Sequence, residues 1–319
     1  MTARTVADGV VLLPTDYPAA QDAPLWVYAI GGAEATTLID SAIPSSFDAA
    51  LRPAMADAGI DPTHVRDVVL THGHPDHQGG ANTWRRLSGA RVSAPLDDAT
   101  WIEDPERQWR ELWDGYPGAI SLVEARELLV GMCGGAVPVD RLLRDGDVVA
   151  LDDRELEVIQ TRGHTRGHLA FLDRQTGCLF TGDVVQGRGL RTSSGASVIA
   201  PMYQDVVDYR LGLQRLRATP FDTLCPAHRE PLEGGTGLDL IDESLAFVDE
   251  VDAVVRAAVA GAADVVTTSD VAARIGELAG AQPPVTMQTV TAAVAHLSEL
   301  ARDHHVEQAW RPTRGLGTD

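Results

Sequence analysis

Within the stretch THGHPDHQGG, residues 71–80, three histidines and one aspartate fall in six consecutive positions: His72, His74, Asp76 and His77. Imidazole nitrogens and a carboxylate are good ligands for zinc, iron or manganese. Histidines two apart in an irregular loop can face one cation, and Asp76 with His77 can face a second beside it. The structural alternative is a polar loop before a helix, with Asp76 as its cap. Three later positions add to the set: His164 in TRGHTRGH, Asp183 in FTGD and His228 in CPAHRE. Singly, each has an ordinary account as a turn, cap or core residue. Their type and order after the first cluster point to shared metal chemistry.

Such groups need a scaffold. The short runs DGVVLLP (8–14), PLWVYAI (24–30) and ATTLIDS (35–41) read as strands, separated by turn formers. Residues 46–59 have helical apolar spacing closed by Gly59. RDVVLT (66–71) is a buried strand that runs into the histidine cluster. A helix over 79–89 and a strand over 91–95 follow. Residues 96–145 differ: Trp101, Trp109, Trp113 and Tyr116 sit among charges in helix-like runs, a helical insertion in the main sheet. Strands resume at 147–151, 156–161, 168–173 and 177–183, then a helix over 204–218 and a strand over 223–228. The later candidate ligands thus lie at strand ends, where loops on a rigid frame carry function. Beyond PLEGGTG come three amphipathic helices, the second capped by Ser269. The expected organisation is a catalytic domain over 1–237 and a small, mainly helical domain over 238–319.

In their order, HxHxDH, GHT, TGD and a late histidine resemble the ligand signature of the metallo-β-lactamase superfamily, over about residues 8–230. The resemblance implies an α/β fold, an αββα sandwich with two metals at the edge where the sheets meet. It implies that His72, His74 and His164 hold one metal, that Asp76, His77 and His228 hold the other, and that Asp183 bridges them. Asp40, in LIDS, would stand behind the ligands. The full set is similar to glyoxalase II and the lactonases, not to β-lactamases with a cysteine ligand, and Cys225 is read as core. The implied activity is hydrolysis of a small ester, thioester or lactone by a hydroxide bridging two divalent ions about 3.5–4 Å apart. Zinc is the expected metal, with iron or manganese as options. Asp76 would also be catalytic, orienting the hydroxide or passing a proton to the leaving group.

Trp109, Trp113 and Tyr203 are candidates to line the substrate site, the tryptophans as an aromatic lid and Tyr203 as a donor to an oxyanion; packing of the insertion is the other reading of the tryptophans. The C-terminal segment resembles the winged-helix-like tail of the β-lactamase-like 2 type. It carries 13 acidic against 5 basic residues over 239–319, and the whole chain has a net charge of -20. Such a balance disfavours nucleic acid and anionic membranes. The tail is therefore expected to cover substrate, to support the fold or to form a homodimer. The expected partner of the chain is a small acyl substrate. Three scattered cysteines and no apolar leader suit a cytoplasmic protein. Competing readings are a metal-dependent phosphodiesterase or nuclease and an iron-dependent oxidoreductase.

Overall fold

The computed structural model describes residues 2–16, 23–31, 35–112, 122–192, 195, 197–262 and 265–302. Seven strands form a first sheet in chain order: β1 (Arg4–Ala7), β2 (Val10–Asp16), β3 (Pro24–Gly31), β4 (Thr36–Ile39), β5 (Val65–Val69), β6 (Arg91–Pro95) and β7 (Arg141–Leu143). β1 to β4 pair antiparallel, whereas β4 to β7 are parallel. Parallel neighbours need crossovers. α1 (Arg52–Asp57) lies in the first; α2 (Pro75–Gln78) and α3 (Ala81–Ser88) lie in the second. α4 (Ala99–Glu103), α5 (Pro105–Leu112) and α6 (Leu122–Met132) lie in the third.

The second sheet contains β8 (Val148–Ala150), β9 (Glu155–Gln160), β10 (Leu169–Asp173) and β11 (Cys178–Gly182). A two-stranded ribbon, β12 (Leu190–Arg191) and β13 (Ser197–Ile199), and the helix α7 (Val206–Ala218) follow. β14 (Thr223–Pro226) and β15 (Leu232–Glu233) complete the sheet, in the order β15-β14-β11-β10-β9-β8. Only the β11–β14 pair in it is parallel.

Alternation along the strands sets the layers. Trp26, Tyr28 and Ile30 of β3 enter the core between the sheets, while Leu25, Val27 and Ala29 pack with α1 and α3. In the second sheet, Phe171 and Phe180 enter the same central core; Ala170, Leu172 and Leu179 pack with α7 and the C-terminal helices. The Tyr28 and Phe180 rings meet edge-on, with centroids 5.1 Å apart. The result is helices, sheet, sheet, helices, the αββα order. Strands buried on both faces read as continuous apolar runs.

The C-terminal helices are α8 (Gly234–Ala260), α9 (Thr268–Ala279) and α10 (Met287–Arg302). They share one buried cluster with α7 and the second sheet. α8 starts earlier than the sequence suggests, because GGTG lies inside it. A side chain on Gly237 would meet Leu224 and the Phe221 ring at 2.9 Å, so glycine lets the first turn approach the sheet. Thr267, not Ser269, caps α9: its hydroxyl accepts from Asp270 N–H, and the Asp270 carboxylate accepts from Thr267 N–H. Among the described residues after Glu233 there are helices and no strand. No helix among the described residues is long and apolar enough to cross a membrane. All three cysteines are buried and free.

Candidate metal centre

Parallel pairing brings the chemistry to one edge. β4 and β5 run the same way, so Asp40 and the loop from Thr71 to His77 leave from the same end. β11 and β14 are likewise parallel, so Asp183 and His228 leave together. The connection from β9 to β10 supplies His164. Cross-sheet hydrogen bonds close this edge: Leu169 N–H donates to the Thr71 carbonyl and Trp26 N–H to the Ala227 carbonyl, both at 2.8 Å. Two glycines let the HxHxDH loop settle there. A Cβ on Gly79 would collide with the Met132 carbonyl, and one on Gly80 with the Ser41 carbonyl.

The seven predicted donors fall into two buried groups. His72, His74 and His164 form one; Asp76, His77, Asp183 and His228 form the other, with donor atoms in each within 4.8 Å of one another. Nε2 of His72 and of His164 stand 3.0 and 2.9 Å from Nδ1 of His74. Asp183 joins the groups. Its Oδ1 is 3.3 Å from His77 Nε2 and 3.4 Å from His228 Nε2, and its Oδ2 is 3.7 Å from His164 Nε2. Asp76 Oδ2 lies 3.4 and 3.5 Å from His77 and His228 Nε2.

Outer partners fix which nitrogen faces inward. His164 Nδ1–H donates to the Met202 carbonyl at 2.7 Å, His228 Nδ1–H to the Pro24 carbonyl at 2.9 Å, and His77 Nδ1–H to Asp40 Oδ2 at 2.8 Å. A carbonyl or carboxylate only accepts, so each Nδ1 carries a proton, and a ring that is neutral presents its Nε2 lone pair to the centre. Asp40 also accepts from the Thr71 amide at 2.8 Å and hydroxyl at 2.9 Å. These bonds hold Asp40 at φ +63°, an uncommon conformation for a residue with a side chain.

The two groups differ in charge. Burial lowers the pKa of His72, His74 and His164, keeping them neutral. Burial also opposes charge on His77 and His228, but Asp183 and Asp76 outweigh it; His77 is held well above its usual value and His228 at about 9. Against the upward pull of burial, these imidazoles keep both carboxylates well below their ordinary range. The second group therefore calls for positive charge, which protons or a cation can supply. Among the described residues, the buried His77 Nε2 and Asp183 Oδ1 make no hydrogen bond. Buried polar atoms seldom lack partners. Inward lone pairs, carboxylates and these two atoms together fit divalent cations.

Three supporting residues escaped the sequence reading. Asp98 accepts from Gly73 N–H at 3.0 Å, Thr165 Oγ1 at 2.6 Å and Gly167 N–H at 2.8 Å, tying the HxH loop to the GHT loop. Burial lifts its carboxyl to about 6, against the downward pull of those bonds. Gln108 donates to the Gly73 carbonyl from α5. His168 accepts the Asp183 amide on Nε2 at 3.2 Å, while its Nδ1 bonds Thr161 Oγ1 at 2.8 Å. Only His168, inside TRGHTRGH, carried a local signal.

Of the candidate lining residues, Trp109 and Tyr203 are packed in the interior. Trp109 packs with Trp101 and Leu112 in a buried cluster under the HxH loop, and is 5 % exposed. Trp113 lies outside the described residues. Tyr203 is fully buried, stacked on Tyr209, with its hydroxyl 2.9 Å from His296 Nε2 on α10. That partner replaces the expected donation to an oxyanion, because α10 covers the phenol. Cys225 lies in the core between the sheets.

Residues 22–228 match the family model described as "Metallo-beta-lactamase superfamily". The protein "Acyl-coenzyme A thioesterase MBLAC2" of Gallus gallus is 31% identical over 212 residues, 63% of this chain and 68% of that protein. Its Homo sapiens namesake is 32% identical over 151 residues, 43% of each chain. A hydroxyacylglutathione hydrolase of Cereibacter sphaeroides is 28% identical over 178 residues, 55% of this chain and 53% of that protein. These last two matches span about half of the relative's length. In fold, a metallo-beta-lactamase family protein of Thermus thermophilus superposes with a TM-score of 0.72 at 22% identity, covering 94% of this chain and 95% of that one.

Proposed function

Because this chain belongs to the metallo-beta-lactamase superfamily and is a metal-dependent hydrolase, we propose that it cleaves the thioester of a small acyl–thiol conjugate. The observation that carries this reading is the convergence of seven donors into two adjacent groups joined by Asp183. The names of the relatives, an acyl-coenzyme A thioesterase and a hydroxyacylglutathione hydrolase, both specify an acyl group on a thiol. His72, His74 and His164 would hold one divalent ion, and Asp76, His77 and His228 a second, with Asp183 between; imidazole and carboxylate donors favour zinc. Two such ions supply Lewis acidity and a nucleophilic water at neutral pH.

The chain's own residues supply position and proton control. Asp40, Met202 and Pro24 hold the imidazoles in one tautomer. Asp98 and Gln108 fix the loop that carries His72 and His74. Asp76, whose Oδ2 lies close to both His77 and His228, would orient the attacking water. A thiolate leaves with little help from an acid, because a free thiol has a pKa near 8.5. One carboxylate therefore suffices for a thioester.

The test is a substrate panel on protein stripped of metal and then reloaded with zinc. Thiol release from an acyl-coenzyme A or an S-acylglutathione is expected, dependent on the added ion. Turnover of an activated phosphodiester alone, or oxygen uptake with bound iron, would replace this reading.

A further inference from the structure

We propose that Asp252, His296 and Glu299 form a further cation site, separate from the edge centre, that takes one divalent ion of the zinc type and staples α8 to α10. Asp252 lies on α8, and His296 and Glu299 lie on α10 at positions i and i+3, which share a helix face. One donor atom from each lies within 4.8 Å of the others. Among the described residues, three buried atoms here make no hydrogen bond: Asp252 Oδ1, His296 Nδ1 and Glu299 Oε2. Each of the three residues contributes one. His296 itself is wholly buried, so no bulk water reaches its ring. Its Nδ1 stands 3.6 Å from Asp252 Oδ1, beyond hydrogen-bonding distance. Two ligands of one tetrahedral zinc lie roughly 3.3 Å apart, close to that spacing.

The other atoms of the trio are engaged. His296 Nε2 bonds the Tyr203 hydroxyl at 2.9 Å. Arg256 Nε donates to Asp252 Oδ2 at 2.7 Å, and Arg210 Nη1 is 3.9 Å from Glu299 Oε1. Asp252 thus gives one oxygen to Arg256 and turns the other toward the imidazole, and Glu299 has one oxygen near Arg210. Burial, with help from Arg210 and Arg256 against the opposing pull of Asp252, puts the His296 pKa at about 4. The ring is neutral at pH 7 and can act as a ligand. With the ring proton on Nε2, facing Tyr203, the Nδ1 lone pair points at the two carboxylates. A bound ion would satisfy all three atoms at once. It would also stiffen the segment behind the edge centre, since Tyr203 follows Met202, whose carbonyl holds His164.

Native mass spectrometry of the zinc-loaded full chain, after exchange into a non-chelating buffer, counts the ions directly. The Glu299 and Asp252 side chains are 16% and 22% exposed, so the neutral isosteres should fold. Glu299→Gln and Asp252→Asn are each expected to hold one ion fewer than wild type, whatever number the edge centre holds. Each should also lose part of the zinc-induced rise in melting temperature. Adding Glu299→Gln to Asp183→Asn should remove one more ion than Asp183→Asn alone. An ion count unchanged by Glu299→Gln and by Asp252→Asn overturns the proposal.

Discussion

The edge centre and the helical trio are built from the same donor types, but their surroundings differ. At the edge, His77, His164 and His228 each give Nδ1–H to an oxygen that can only accept. Their inward nitrogens are therefore set before any ion arrives. In the helices, His296 leans on the Tyr203 hydroxyl, which can donate or accept, so its tautomer is left open. The edge donors come from loops between strands whose register is fixed. The helical donors come from two helix faces, which can slide or part by small amounts. Outer partners are what distinguish a preset centre from a set of ligands that an ion must gather.

The largest effect should come from the residue that joins the two edge groups. Asp183→Asn keeps the size of the side chain but removes its charge between His77, His164 and His228. Replacing an outer partner of a ligand typically costs 10–100-fold in metal affinity or activity. Loss of a shared ligand should exceed that, so a fall of more than about 100-fold in kcat/KM is expected, with fewer ions retained at the edge. Near-normal turnover would mean that the two groups act independently. Asp40→Asn comes next. An amide nitrogen in place of Oδ2 only donates, so it accepts from neither the Thr71 hydroxyl nor His77 Nδ1, and the ring is freed to turn. Metal affinity or activity should fall about 10–100-fold, as measured by competition with a chelator, and secondary structure should persist. Unchanged affinity would show that neighbouring packing, not Asp40, presets His77.

What could be read in advance follows the same contrast. HxHxDH is legible because one loop carries four candidate ligands, and His164, Asp183 and His228 are legible because His164 lies in a turn between two strands and the other two just past a strand's end. Asp98 was hidden because its partners are mainly backbone amides, which have no signature in sequence. The fold was readable where strands bury both faces, as β3 and β10 do. It was less so at β7, β12, β13 and β15, which are two or three residues long, too short to show an alternating pattern. Tryptophans among charges suit a lid as well as a core, with packing the slightly better reading of Trp109; α5 packs against α6 and bonds the HxH loop through Gln108, and Trp109 lies inside. The helical trio has no local pattern, because Asp252 and His296 meet only once α8 and α10 have packed.

The smallest effect sharpens the contrast most. Tyr203 follows Met202 in sequence, yet its hydroxyl faces α10, where burial drives the phenol pKa far above its usual value. If that hydroxyl donated to a reacting oxygen, Tyr203→Phe would cost about 100–1000-fold in kcat, as loss of an oxyanion donor does. The geometry instead predicts loss of one buried hydrogen bond, about 1–3 kcal/mol of stability since His296 Nε2 is left without its partner. Turnover should change less than about tenfold, because the Met202 carbonyl still holds His164. Chemical denaturation and steady-state kinetics on the same preparation separate the two cases. A large fall in kcat without a loss of stability would move Tyr203 into the chemistry and join the two regions that the structure keeps apart.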